Sequence, residues 1–543
     1  MLFYPFIIAI FFFILAYKIY GTHLVKKFNL SDKNKTPAHT MYDGNDYVPT
    51  RKEILLGHHF ASIAGAGPIV GPIIAGLAFG WYPAILWIIL GSIFLGGVHD
   101  FSALVASIKH KSRTVAEIAK TYIGKNAYVM FLLFIWLALV YVLIVFLDLT
   151  ATTFAAKGEV ATTSLLYILL AILFGLSLYK LKLNFSFSTI LFVVLVFASI
   201  GVGYKFPLTL KPVLFASQDL AIAMKKNWSI ILLVYSFIAS TAAVWVLLQP
   251  RDYLSSFLLY ASVLLGAIGI IFGGLKINYP SFISFTSTSG TLFPILFVTI
   301  ACGAISGFHS IVSSGTTAKQ LNKEMDARPI GYGGMLLEGV VAVIALSTVM
   351  IAFKGGFIGK TPMQIFASGI GKFGSILGIP EKFGSIFGLL VLSSFLLTTL
   401  DTATRLARYA LQEMFNWEIQ KTKYFATFIT LLLPAIFALI DLKDPKGNIV
   451  PAWSVIWPVF GASNQLLAAL TLLVISVWIV HLKKNSLLTI IPMILMFIVT
   501  LTALFQLILL YRFTAVGIIA GILFILALYL IIQSYKALVK RNA

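Results

Sequence analysis

One cysteine, Cys302, occurs in 543 residues, and it lies in an apolar run. A single thiol supports neither a disulfide framework nor a thiolate metal site. Charge is also scarce, at 11% of the chain, and acidic residues are the scarcest, 19 against 40 basic. A formal charge of +21 would suggest nucleic acid for a soluble protein. In a membrane protein the same surplus sits in loops, as topology signals and contacts to anionic lipid, so lipid and not nucleic acid is the expected partner. No Gly-x-x-x-x-Gly-Lys-Ser/Thr loop or soluble domain occurs, which disfavours ATP drive within the chain. What is abundant is apolar: 59% hydrophobic residues and a mean hydropathy of +0.97. Only a polytopic membrane class fits that composition.

Helix-length apolar runs predict an all-α membrane protein of about 15 spans. They fall near 2–20, 54–78, 82–107, 127–150, 162–180, 187–205, 227–250, 253–275, 292–314, 332–353, 383–412, 424–441, 451–480, 487–511 and 514–536. Residues 2–17 lack a basic n-region and a small-residue cleavage site, and read as a retained first helix. Assigning the basic loops 21–53 and 108–126 to the cytoplasm puts roughly two thirds of the basic residues inside. The N-terminus is then outside and the C-terminus cytoplasmic.

The chain is organised around Gly57-His-His-Phe-Ala-Ser-Ile-Ala-Gly-Ala-Gly-Pro-Ile-Val-Gly-Pro72. Glycine costs a helix about 1 kcal/mol and proline about 3 relative to alanine, so this span is expected to be discontinuous. Unpaired backbone at membrane depth is tolerated only where it lines a cavity, and such breaks point to a transporter's binding site. A half-helix starting near Pro68 offers amides and a positive dipole end to an anionic group, making Gly65, Ala66, Gly67 and Pro68 candidate substrate contacts. Five spans on, Ala239-Ser-Thr-Ala-Ala243 suggests a second break, with Ser240 and Thr241 as further contacts. Two five-helix units, the second inverted, are the plan of the sodium-symporter-like fold. The domains are then 1–53, an N-terminal helix and cytoplasmic loop; 54–412, a ten-helix inverted-repeat core; and 413–543, accessory helices.

A carboxylate in mid-membrane costs about 3 kcal/mol on insertion scales, so each is a functional candidate. Asp100, Glu338 and Asp401 qualify, with Asp148 near a helix end. At about 1.5 Å per residue, His58, His59, Asp100, His309 and Asp401 all fall in the cytoplasmic third of the membrane, where they suit ion coupling or gating. Three readings stand: a proton relay, interhelical hydrogen bonding, and a metal site. Adjacent His58 and His59 point about 100° apart on a helix, so both face one ion only if the helix is unwound. Asp401 and Arg405 are spaced for an ordinary i,i+4 ion pair. Arg251 is either added positive charge near the second break or a loop residue.

Hydroxyls gather in Ser306–Thr317. Ser310, Ser313 and Ser314, with Ser62 (next to Ile63), form a possible cation site; the alternative is serines bonded back to their own helices. Asn464 and Gln465 interrupt a late span and need partners, in a pore- or helix-facing role.

Gly57–Pro68, Val98-His-Asp-Phe101, Ser306–Thr317, Leu400-Asp-Thr-Ala-Thr-Arg405 and Phe460-Gly-Ala-Ser-Asn-Gln-Leu-Leu467 closely resemble the carbon starvation protein A family. The resemblance implies an importer of peptides or pyruvate in the inner or plasma membrane, grouped with the amino acid–polyamine–organocation transporters. The chain looks like a short member of that family. The expectation is therefore a secondary transporter driven by H⁺ or Na⁺, with no cofactor and no resident metal, and not an enzyme. A membrane-embedded metalloenzyme built on His58, His59 and Asp100 lacks His-Glu-x-x-His. A channel does not need glycine-broken helices at the core spacing of alternating access.

Overall fold

The computed structural model describes all residues except 45, 211–218, 244–245, 288–289, 354, 357–359, 444–448 and 543, and omits the side chains of 443, 449, 515 and 539–542. The helices of twelve residues or more are α1 (Phe3–Lys27), α2 (Lys52–Ile63), α3 (Gly67–Phe79), α4 (Trp81–Lys109), α5 (Lys125–Ala156), α6 (Gly158–Tyr179), α7 (Phe185–Lys205), α8 (Leu220–Thr241) and α9 (Leu248–Phe272). They continue with α10 (Leu292–Gln320), α11 (Glu324–Met350), α12 (Pro362–Ser375), α13 (Glu381–Met414), α14 (Lys423–Leu439), α15 (Ala452–His481), α16 (Leu487–Tyr511) and α17 (Ala515–Asn542). Among the described residues thirteen are long and apolar enough to span a membrane, and the bent pair α2–α3 raises the count to 14. The expected span 424–441 is the 17-residue α14, shorter than the others. Two antiparallel pairs, Thr286–Ser287 with Gly290–Thr291 and Leu442–Lys443 with Ile449–Val450, are the strands among the described residues.

The chain divides into two compact units. The first comprises Tyr4–Ala138, Tyr279–Leu346 and Pro458–Ala543; the second comprises Met1–Phe3, Leu139–Asn278 and Ser347–Trp457. In the first, α10 and α15 are inner helices, 89% buried over an apolar stretch of 18 residues. The outer helices α1, α16 and α17 expose Phe11, Ile491 and Ile525, as lipid-facing surfaces do. In the second, α13 is the inner helix and α7 exposes Ile190.

The Gly-Pro break forms where the sequence calls for it. Helix α2 stops at Ile63, α3 starts at Gly67, and the two are bent by 47°. Pro68 takes the first turn of α3, where its missing N–H costs nothing. The glycines serve close packing as well as the bend. A Cβ on Gly67 would run into Cys302 Sγ and lie 2.6 Å from its Cβ, and one on Gly71 would meet the Thr299 and Ile300 carbonyls.

The second break is not where the sequence suggested. Helix α8 is continuous to Thr241, so Ser240 and Thr241 lie in its last turn, and α9 begins at Leu248. Small residues there end a span instead of interrupting one. The interruption lies in α10, against the first break. Ala301 adopts φ +33°, Ala301–Gly303 is a 3₁₀ turn, and regular helix resumes at Phe308. A left-handed alanine is strained, and the surrounding packing must hold it.

Candidate functional site

Four ionisable side chains of the first unit form a row with no solvent exposure. His99 Nδ1 lies 2.7 Å from Asp100 Oδ1, and Asp100 Oδ2 lies 2.7 Å from His309 Nδ1. His309 Nε2 is 3.1 Å from Glu338 Oε2, off the line of a good hydrogen bond. Helix α4 supplies the first two groups, α10 the third and α11 the fourth. Each of these helices carries a π turn next to its contribution, at Ser92–Gly96, Ser313–Thr317 and Arg328–Tyr332. Such turns recur at functional sites.

The row has a simple proton inventory. A carboxylate only accepts hydrogen bonds, and imidazolium donates from both nitrogens. With Asp100 and Glu338 both ionised, His309 matches them only as imidazolium, leaving net negative charge in a dry interior. One further proton, on either carboxylate, neutralises the group. The row can therefore hold or release a proton without moving its heavy atoms.

Of the paired histidines, only His59 is fully buried. It packs beside this group, with Nδ1 2.9 Å from Thr317 Oγ1 and Nε2 unpartnered. His58 is part-exposed, as expected for neighbours on the intact helix α2. Among the described residues no set of three or more His, Cys, Asp or Glu side chains is arranged to hold a metal.

The break in α10 is clamped by α15. Asn464 Oδ1 accepts from the Phe308 amide at 3.0 Å, and its carbonyl accepts from the Gly307 amide at 3.0 Å. Asn464 Nδ2 donates to Ser306 Oγ and reaches Cys302 Sγ. Gln465 Nε2 donates to the Phe297 carbonyl at 2.8 Å. Both residues thus face a helix: Asn464 satisfies amides freed by the break, and Gln465 adds a second donor to the Phe297 carbonyl, which already accepts from the Ala301 amide. In the first break the Ile69 and Val70 amides already donate to the Ala66 carbonyl, at 3.1 and 2.8 Å. The open amides at the start of α3 are consequently those of Ala66 and Gly67, beside Gly65 and Pro68.

The four serines named for a cation are mostly bonded to their own helices. Ser62 Oγ donates to the His58 carbonyl, Ser310 Oγ to Gly307 and Ser314 Oγ to Ser310, each at 2.7–2.8 Å. Ser313 Oγ is buried without a partner.

Asp401 does not join the row. It belongs to the second unit, where Arg251 Nη1 pairs with its Oδ2 and Tyr235 Oη donates to the same oxygen at 2.8 Å. Its expected partner Arg405 instead donates to the Ala239 and Ala242 carbonyls, at 3.1 and 2.8 Å. Arg251 was legible only as a loop or accessory charge, yet it is fully buried in the first turn of α9. Arg408 also reaches the end of α8, donating to the Ser240 carbonyl at 3.3 Å. Asp148 is held by Lys225 at 2.7 Å and by the Trp453 amide at 3.1 Å, a structural role.

The family model of carbon starvation protein CstA matches residues 3–359 and 353–503. The chain belongs to the carbon starvation protein CstA family. Similar CstA relatives include the peptide transporter CstA of Helicobacter pylori, 34% identical over 90% of this chain and 79% of its own length. The peptide transporter CstA of Bacillus subtilis is 31% identical over 85% and 82%. The pyruvate/proton symporter BtsT of Escherichia coli K12 is 29% identical over 91% and 80%.

Proposed function

We propose that the chain is a proton-coupled secondary transporter that imports peptides or a small carboxylate such as pyruvate. The observation supporting the coupling ion is His309 held, fully buried, between Asp100 and Glu338, an arrangement with room for one further proton on a carboxylate. Relatives named as peptide transporters and a pyruvate/proton symporter support the substrate classes. The Gly65–Pro68 break, facing the Ala301–Gly307 break within one unit, is the proposed substrate contact. Sodium at Ser62, Ser310, Ser313 and Ser314 is the weaker reading, because three of these hydroxyls are already bonded to backbone. The test is uptake of labelled pyruvate and dipeptide by vesicles under an imposed pH gradient. Accumulation that collapses with a protonophore supports proton coupling, and accumulation that follows sodium alone refutes it.

Fifteen crossings of the cell membrane, with the N-terminus outside and an inverted-repeat core akin to the amino acid–polyamine–organocation transporters, belong to the same reading. Parity supports the count. Lys27, Lys109 and Trp478, at the C-terminal ends of α1, α4 and α15, line one cleft. Helices ending on the same face run the same way, so an even number of crossings carries the chain from Lys109 to His481. The long spans in that interval are α5–α11, α13 and α15, an odd number. The short helix α14 makes the number even and brings the total to 15.

A further inference from the structure

We propose that the cleft at the ends of α1, α4 and α15 and the start of α16 binds the phosphate headgroup of an anionic phospholipid. Its volume is ≈ 440 Å³, and it is a pocket distinct from the buried row described above. That volume lies in the range of ligand pockets, about 300–1,000 Å³.

Three lysines line it, Lys27, Lys109 and Lys484, and no acidic residue does. Lys109 is matched by Glu324, at 2.6 Å. Lys27 and Lys484 have no acidic partner within ion-pair distance among the described residues, so the cleft carries surplus positive charge. One wall is aromatic and rigid. The His110 ring packs edge-on against Trp478 at 5.1 Å and against Tyr122 at 5.5 Å. Both its nitrogens are engaged, by the Ala106 carbonyl at 2.6 Å and Tyr122 Oη at 2.9 Å. His110 therefore shapes the cleft, and the lysines supply its charge. Trp and Tyr beside lysines at the ends of spanning helices mark headgroup depth, and basic pockets between such helices hold anionic headgroups.

A lipid fits better than a soluble phosphate because of the rim. Leu482 lines the cleft and is 48% exposed, and α16 descends from it with Ile491 and Ile498 facing outward. Acyl chains attached to a phosphate in the cleft would lie along that apolar face.

The test is native mass spectrometry and thermal melting of the purified full chain in neutral detergent. The added probes are phosphatidylglycerol, phosphatidylcholine or inorganic phosphate. The proposal expects retention and stabilisation by phosphatidylglycerol over phosphatidylcholine. It also expects a loss of roughly 30-fold in the affinity for phosphatidylglycerol in the Lys27→Gln/Lys484→Gln double variant, at about fivefold per lysine. Both lysines are exposed, so the variant is expected to fold, and Lys33→Gln/Lys35→Gln controls for loss of charge alone. Unchanged affinity in the double variant, or equal retention of phosphatidylcholine, overturns the proposal. Displacement of the lipid by inorganic phosphate at matched concentration overturns the lipid as occupant.

Discussion

Asp100 and His309 are 209 positions apart in the chain and 2.7 Å apart in space. Glu338 closes the other side of the same imidazole, and all three side chains are fully buried. An Asp100→Asn variant keeps the shape and removes one charge. It should lose gradient-driven accumulation while retaining substrate exchange at equal pH, read by counterflow in proteoliposomes. Glu338→Gln should do the same, with a smaller effect on stability because its hydrogen bond is poorly aligned.

Arg251 and Asp401 form a buried ion pair in the second unit, with Asp252 3.5 Å from the same guanidinium. Arg251→Ala should cost about 3–5 kcal/mol by leaving buried carboxylates unmatched, and Asp401→Ala less, because Asp252 stays beside the guanidinium. The double variant should cost less than the sum of the two. Chemical denaturation in detergent, analysed as a double-mutant cycle, measures the coupling.

Helix α3 is packed on the strained segment of α10 through glycine. Gly67→Ala should reduce both stability and transport, because the new methyl group meets Cys302. Adding Cys302→Gly should recover part of both. Gly71→Ala should not be rescued this way, since its methyl group would meet backbone carbonyls. Uptake and melting temperature of the four variants decide the matter.

Asn464→Ala leaves the Phe308 amide buried without an acceptor. The expected cost is about 1–3 kcal/mol, and Asn464→Asp should recover part of it, since a carboxylate oxygen still accepts from that amide. Melting temperatures of the two variants are the readout.

Burial holds the His110 imidazole below its usual pKa, against the hydrogen bond to Ala106, and Arg113 pushes the same way. The folded state thus resists protonation that the unfolded chain accepts near pH 6.5. This contribution to stability is present above that value and is lost as pH falls below it. His110→Gln should flatten the fall in melting temperature between pH 7.5 and 5.5.

Local features were legible and tertiary ones were not. The break at Ala64–Ala66 could be read because glycine and proline act on their own turn. The break at Ala301 could not, because Ala301-Cys-Gly-Ala-Ile305 is compatible with a helix and only packing forces the positive φ. Arg251 was placed just past the end of the span 227–250, next to Pro250. The proline instead sits in the first turn of α9, where it is tolerated, and that register shift carries Arg251 into the interior. The depth count grouped Asp100 with His309 correctly. It also grouped Asp401 with them, because depth gives position along the membrane normal and says nothing of which helices are neighbours. Asn464 was recognised as needing partners, but the partners are amides exposed by a break the sequence does not reveal.

The most direct test is internal pH in proteoliposomes carrying a trapped pH-sensitive dye, recorded while an inward substrate gradient is imposed without any initial pH gradient. The wild-type protein should acidify the lumen in step with substrate entry, and Asp100→Asn should admit substrate without acidification. Substrate entry with unchanged internal pH in the wild type, or acidification preserved in Asp100→Asn, would contradict the role assigned to His309 and its two carboxylates.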